Sequence, residues 1–314
     1  MERVYIAGCG GMLGDAFFTV FGPDSALRCT DINVNEQWLT HCDFRDRSAY
    51  RRDVEHFEPD LLVHLGAHTD LEYCETHPEE AYLTNTLSVE HAVTIANDLG
   101  IPLVYVSTAG IFDGRQDTYD DWDVPAPLGH YARSKWAGEV YVRESADRYL
   151  VCRAGWMMGG GPHKDKKFVA KLMQQLKAGR QELFVVDDKR GTPTYTHDFA
   201  ANVKLLVDGR HWGVYNMACE GTTSRFEVAT ELVSALGLER EVRITAVPSS
   251  YFAREYFAVR PDSERLINLK LRLLGLNLMR DWRVALRDYL ARDYSTYLSE
   301  HAPSAMSFGR GARA

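Results

Sequence analysis

Tyr131 and Lys135 are four residues apart in Tyr-Ala-Arg-Ser-Lys. That spacing puts both side chains on one face of a helix, one turn from each other. An ammonium so close lowers the pKa of a phenol, so Tyr131 is expected to trade a proton near neutral pH. Upstream, Leu103-Val-Tyr-Val-Ser-Thr108 reads as a short buried strand ending in two hydroxyls. Ser107 and Thr108 would then stand at the carboxyl end of a parallel strand, where open α/β sheets bind ligands. Hydroxyl, phenol and ammonium together make a proton-transfer group for a carbonyl or an alcohol. Taken alone, the Tyr-x-x-x-Lys spacing is more often met on an ordinary surface helix.

The amino terminus supplies the context. Arg3 to Ala7 reads as an apolar strand, Gly8-Cys-Gly-Gly11-Met12-Leu13-Gly14 as a turn, and Asp15 to Phe21 as a helix. Gly8, Gly11 and Gly14 lie three apart. Glycine permits the tight turn, lets backbone approach a pyrophosphate, and lets the helix pack on the strand. Unpaired N–H groups at the helix start would face the phosphates. The spacing is Gly-x-x-Gly-x-x-Gly rather than Gly-x-Gly-x-x-Gly. A second strand, Ala26 to Thr30, runs into Asp31, placed to accept hydrogen bonds from an adenosine ribose.

The alternation continues through strands at 60–65, 103–107 and 149–153 and helices at 79–99 and 131–145. Strand and helix alternating over 150 residues means a parallel, doubly wound sheet. After Trp156 the pattern changes. Gly159-Gly-Gly-Pro-His163 reads as a loop, and the next helix carries Lys164, Lys166, Lys167 and Lys171. Such a cluster is commonly a solvated face, or it contacts a diphosphate. A loop at 191–198 opens a helix at 199–208. A strand at 213–218, a helix at 226–236, a strand at 242–247, a polar loop at 260–266 and one or two helices over 273–289 follow. The tail from Ala302 is expected to fray.

The chain has 314 residues and a formal net charge of -8. That length permits one large domain or two associated ones. The charge implies no general affinity for nucleic acid or anionic membrane. Cys9, Cys29, Cys42, Cys74, Cys152 and Cys219 are scattered without a Cys-x-x-Cys pair. This suits a reducing compartment. No signal peptide or membrane-length apolar run is visible, so a cytoplasmic protein is expected. The eleven histidines show no paired ligand spacing, so no metal is assigned. His64, on an apolar strand, reads as a core histidine with a backbone partner.

In order and spacing these stretches resemble the extended short-chain dehydrogenase/reductase superfamily, and within it the dTDP-4-dehydrorhamnose reductase family. Val106-Ser-Thr-Ala-Gly-Ile-Phe-Asp-Gly114 resembles the family's Ser-Thr-Asp-Tyr-Val-Phe-Asp-Gly. Tyr131-Ala-Arg-Ser-Lys-Trp-Ala-Gly-Glu139 resembles Tyr-Gly-x-Thr-Lys-x-x-Gly-Glu. Arg153-Ala-Gly-Trp156 resembles Arg-Thr-x-Trp, and Gly191-Thr-Pro-Thr194 with Asp198 resembles Gly-x-Pro-Thr with its Asp. The resemblance covers about residues 1 to 290. It departs at Ala109-Gly110, which replaces Asp-Tyr. Lys167 stands where Asn is usual, and Ser263-Glu264 where Asn-Ser is usual.

The resemblance implies an α/β, Rossmann-type doubly wound parallel sheet with a smaller C-terminal α/β substrate-binding domain. Residues 1–156 and about 187–220 would bind NAD(P), about 157–186 and 221–300 the substrate, and 301–314 would be a disordered tail. It implies Tyr131 as general acid, Lys135 as the residue lowering its pKa and holding the nicotinamide ribose, and Thr108 as the hydroxyl on the substrate oxygen. Gly8, Gly11, Met12, Leu13 and Gly14 match the pyrophosphate turn, and Asp31 the adenosine ribose contact. Asp43 and Phe44 match the adenine-side loop, and Ala67 the loop beneath the cofactor. Ser107 completes the coenzyme side. Asn85 matches a structural position. Trp156, Lys167 and Arg260 join Thr108 as substrate contacts, with the diphosphate between the Lys164–Lys171 segment and the Arg260 loop.

The implied activity is reduction of the 4-keto group of a nucleotide-activated 6-deoxyhexose with NAD(H), or with NADP(H). The implied partner is a nucleotide sugar, and a homodimer is allowed. The alternatives are a nucleotide-sugar epimerase that retains NAD, and a non-catalytic regulatory subunit of the same fold. A dehydratase would need carboxyl groups after the Thr, which Ala109-Gly110 does not offer.

Overall fold

Apolar strands that alternate with helices must bury both faces of a parallel sheet. The computed structural model describes residues 1–298. Its first six strands are β1 (Arg3–Ala7), β2 (Ala26–Asp31), β3 (Leu39–His41), β4 (Leu61–His64), β5 (Leu103–Thr108) and β6 (Tyr149–Ala154). Short strands β7 (Trp156–Met158), β8 (Glu182–Val186), β9 (Arg190–Gly191) and β10 (Pro193–Tyr195) precede β11 (Gly213–Met217). The seven-stranded sheet runs β11-β6-β5-β4-β1-β2-β3 with every pair parallel. Chain order reverses at β1, so the turn after β1 lies at the switch point where such sheets bind ligands.

Successive residues of β1 point to opposite faces. Val4 and Ile6 enter one core cluster with Phe17, Phe199 and Leu286, and Tyr5 and Ala7 enter another with Tyr50, Val89 and Val142. The first face carries α1 (Gly14–Phe21). The second carries α2 (Arg47–Phe57), and further along the chain come α3 (Leu71–Thr76) and α4 (Pro78–Tyr82), then α5 (Ser88–Asp98) and α6 (His130–Ser145). The single long helix expected over 79–99 is therefore interrupted. Between α4 and α5, Leu83–Leu87 forms a π-helical turn. Its Asn85 side chain bridges the loop after β4 to α6, a use that π-bulges often serve.

Beyond β6 the chain builds a second lobe. β7 pairs β10 and β8 pairs β13 (Arg243–Val247), both in parallel. β9 lies between β12 (Thr223–Ser224) and β14 (Ser263–Glu264). The lysine-bearing helix expected after His163 is divided: α7 (Gly161–Lys164) ends at Lys164, and Lys167 is the N-cap of α8 (Phe168–Lys177). The break follows from glycines at 159, 160 and 161, all with positive φ, and from Asp165, whose side chain accepts the Lys167 N–H. α9 (Thr196–Asp208) packs against α1, and α10 (Arg225–Ala235) opens with a Ser224–Glu227 capping box. α11 (Leu269–Leu273) and α12 (Trp282–Asp293) close the chain. The expected tail over 301–314 lies outside the described residues. All six cysteines are free and buried. No described helix is long and apolar enough to cross a membrane.

Candidate functional site

The candidate reactive group is assembled from the end of β5 and the first two turns of α6. The α6 backbone is anchored at its start by Glu75, which accepts the His130 N–H at 3.0 Å. It lies close on the π-helical turn, since a Cβ on Gly138 would meet the Asn85 carbonyl oxygen at 2.6 Å. Tyr131 and Lys135 then face the end of β5. The Thr108 hydroxyl lies near enough to the Tyr131 phenol to pull its pKa down. Thr108 Oγ1 also accepts the Gly110 N–H at 3.1 Å. Lys135 is 3 % exposed, donates to the Val106 carbonyl at 2.8 Å, and sits 4.3 Å over the Tyr105 ring.

The electrostatics differ from the expectation of a lowered phenol. Burial pushes Tyr131 up to about 12, the Thr108 hydroxyl pulls it down, and the Glu264 and Cys74 charges push it up. Burial lowers Lys135 to about 7, opposed by Glu139. Desolvation outweighs the helix-turn pairing, because the ammonium is turned toward the Val106 carbonyl. Ser107 is placed differently from Thr108. Its hydroxyl donates to Glu139 at 2.6 Å, and Glu139 holds Arg153 at 2.7 Å in the interior. That side chain belongs to a buried network joining β5, α6 and β6.

The turn after β1 brings backbone to close approach. Gly8 has φ +87, and a Cβ there would lie 2.3 Å from the Gly66 amide nitrogen. A Cβ on Gly14 would lie 1.7 Å from the Cys9 carbonyl oxygen. Gly11 is open, its nearest neighbour the Gly8 carbonyl oxygen at 3.7 Å. Leu13 caps α1 without a side-chain bond, the Gly14 N–H bonds the Gly11 carbonyl at 3.2 Å, and a Cβ on Gly160 would touch Met12. Asp31 accepts from the Gly10 and Asn33 amides at 2.9 and 2.8 Å, locking the turn to β2. The open turn at Gly11 leaves room for a dinucleotide pyrophosphate at the start of α1. Asp43 is paired with Arg45 at 2.7 Å, which holds its carboxyl below its ordinary value. Phe44 packs edge-on to His64 with ring centroids 5.0 Å apart, and it leaves no room for a side chain at Gly66. Ala67 follows in the half-buried loop that Asn85 fixes through the His68 amide and carbonyl. His64 has side-chain partners rather than the expected backbone one, the hydroxyls of Tyr50 and Ser88, each at 3.2 Å.

The opposite wall comes from the second lobe. Trp156 donates its indole N–H to Glu264 at 2.7 Å. The Arg225 guanidinium lies 4.2 Å over the Trp156 ring and 5.0 Å over Phe168. Among the described residues it has no hydrogen-bonding or ion-pair partner. Arg225 escaped the sequence reading, since only its place at the start of a capped helix marked it. Lys167 donates to the Thr69 carbonyl and hydroxyl at 2.8 and 3.0 Å. Arg260 pairs with Glu72 at 2.8 Å, and Lys171 reaches the Tyr256 hydroxyl at 3.0 Å. Lys164 is turned away, buried against Asp15 at 2.7 Å and Glu36 at 3.1 Å. Among the described residues no cluster of acidic, histidine or cysteine side chains could hold a metal ion.

The family model described as RmlD substrate binding domain matches residues 1–295. A dTDP-4-dehydrorhamnose reductase of Mycobacterium tuberculosis (strain ATCC 25618 / H37Rv) is 34% identical over 312 residues, 96% of this chain and 97% of its own. The methionine adenosyltransferase 2 subunit beta of Danio rerio is 27% identical over 92% of this chain and 90% of its own. A crystal structure of dTDP-4-dehydrorhamnose reductase from Bacillus anthracis, in complex with NADP, superposes with a TM-score of 0.84. It is 28% identical and covers 92% of this chain and 99% of its own.

Proposed function

The chain belongs to the family described as RmlD substrate binding domain, and from that membership we propose that it reduces the 4-keto group of a nucleotide-activated 6-deoxyhexose with NADH or NADPH. The observation that carries the reading is the meeting of Thr108, Tyr131 and Lys135 at the carboxyl end of β5. The turn Gly8, Gly11, Met12, Leu13 and Gly14 would hold the pyrophosphate. Asp31 would hold the adenosine side, the Asp43–Phe44 and Ala67 loops would flank it, and Lys135 would hold the nicotinamide ribose. The reduced nicotinamide supplies a hydride when bound.

The chain supplies the rest. The Thr108 hydroxyl orients the substrate oxygen and bonds it as negative charge develops there. A phenol held at about 12 is fully protonated at neutral pH, the form a reduction consumes. Tyr131 donates that proton to the nascent alkoxide. Lys135, lowered to about 7, stabilises the phenolate left behind when it carries its proton and turns from the Val106 carbonyl.

Arg225, Lys167 and Arg260 are the cations for the diphosphate, and Trp156 flanks the sugar. Arg225 leads because its fork is unspent, whereas Arg260 is shared with Glu72. We assign residues 1–156 and about 187–220 to the coenzyme half and the lobe beyond to the substrate. The six free cysteines suit a reducing compartment such as the cytoplasm.

The test is incubation with a nucleotide 4-keto-6-deoxyhexose and each reduced coenzyme, with the product read by NMR. One coenzyme oxidised for each 4-hydroxyl formed is expected. Tight binding of both ligands without turnover would make the chain a binding subunit instead.

A further inference from the structure

Glu264 stands in the substrate wall for no reason the reduction requires. β14 pairs with β9, setting Glu264 opposite Gly191, and the Ser263 hydroxyl fixes the strand by donating to the Asp117 carbonyl at 2.7 Å. Gly191 in turn lies flat against Trp156, since a Cβ there would fall 2.2 Å from the indole. The carboxylate is thus held by backbone on one side and by the Trp156 N–H on Oε2.

Its other oxygen points the opposite way. A Cβ built on Gly110 would lie 3.4 Å from Glu264 Oε1 and 3.4 Å from Thr108 Oγ1. The two oxygens therefore flank one position, left open because residue 110 is glycine. Among the described residues Oε1 has no hydrogen-bond donor. Arg225, over the same indole, is not within ion-pair distance. A half-buried carboxylate oxygen beside the reacting hydroxyl, without a protein donor, asks for a donor on the ligand.

We propose that Glu264 is a specificity-determining residue whose Oε1 accepts a hydrogen bond from the sugar hydroxyl adjacent to the carbon being reduced. The inference rests on the reading of the substrate as a nucleotide 4-keto sugar. Thr108 and Tyr131 take the carbonyl oxygen, so the neighbouring carbon is the one brought to the Gly110 gap. A site built around a substrate hydroxyl rejects the analogue that lacks it, because its own acceptor is then left unpaired.

The experiment compares kcat/KM for a nucleotide 4-keto-6-deoxyhexose and its 3-deoxy analogue in the wild type, Glu264→Ala and Glu264→Gln. The wild type should favour the hydroxylated sugar by on the order of 10²-fold, the scale of a charged hydrogen bond. Glu264→Ala should shrink that preference to a few-fold, the loss falling on the hydroxylated sugar alone. Glu264→Gln, whose amide oxygen can still accept the Trp156 N–H, guards against a folding defect and should lose part of the preference, because a neutral amide N–H replaces the charged acceptor. An equal fall for both sugars, or an unchanged preference in both variants, overturns the inference and leaves Glu264 a prop for Trp156. Failure of the wild type to reduce either sugar overturns the functional reading itself, and this inference with it.

Discussion

At the residue scale, burial raises the Tyr131 phenol at the end of β5 to about 12, so it holds its proton at neutral pH. Tyr131→Phe keeps the ring and removes the proton, so turnover should fall by on the order of 10²–10⁴-fold while coenzyme binding is kept. Steady-state kinetics beside a coenzyme titration check this, and wild-type turnover would displace Tyr131 as proton donor. That Tyr131, Lys135 and Thr108 meet at the end of β5 was legible, because residue type and spacing place them there. The direction of the phenol shift was not, because it depends on burial and on where the Lys135 ammonium turns. The cations show the same limit. Lys164 lies in a basic run, yet it is spent on Asp15 and Glu36, whereas Arg225 lies in no run and has no hydrogen-bonding or ion-pair partner among the described residues. Arg225→Ala should therefore raise the KM for the nucleotide sugar by tenfold or more, exceeding the effect of Arg260→Ala, with the KM for coenzyme unchanged in both. A larger effect from Arg260→Ala would move the diphosphate toward Glu72.

Elements carry the coenzyme preference. β2 delivers Asp31 to the glycine turn, and its carboxylate is pinned there by two amides. A 2′-phosphate brought to that strand end meets a like charge with no arginine at 32 or 33 to offset it. NADH is therefore expected to bind at least as tightly as NADPH, which titration of intrinsic fluorescence measures; a clear preference for NADPH contradicts it. Six of the seven strands of the sheet were legible because buried parallel strands read as apolar runs, whereas β3 is only three residues long. α2 was not, as it buries only Tyr50 and Val54 and owes its start to an Asp46 cap. The strands β7 to β10 are two to five residues long, too short to show a period. The π-helical turn was invisible because its cause is the tertiary bond from Asn85 to His68 and Ser134.

Across the whole molecule, both faces of the sheet are packed, and the second core encloses His64 between Tyr50 and Ser88. Burial lowers His64 to about 3, against an ordinary value of 6.5. The unfolded chain binds this proton below pH 6.5 and the folded chain does not, so stability is lost as pH falls from about 6.5 toward 3. Denaturant unfolding at stepped pH should show that loss, on the order of a few kcal/mol. His64→Gln should flatten the slope, whatever its cost at neutral pH, and an unchanged slope would place the sensitivity elsewhere. The change of pattern after Trp156 was legible, and the strand expected at 213–218, within the stretch that the resemblance returned to the coenzyme half, pairs with β6 in the central sheet. The most direct measurement is isotope transfer. With reduced coenzyme deuterated at the transferring position and a nucleotide 4-keto-6-deoxyhexose as substrate, mass spectrometry should find one deuterium on the sugar carbon reduced by the wild type and almost none with Tyr131→Phe. A product that changes configuration without acquiring deuterium, or no product at all, would contradict the assignment.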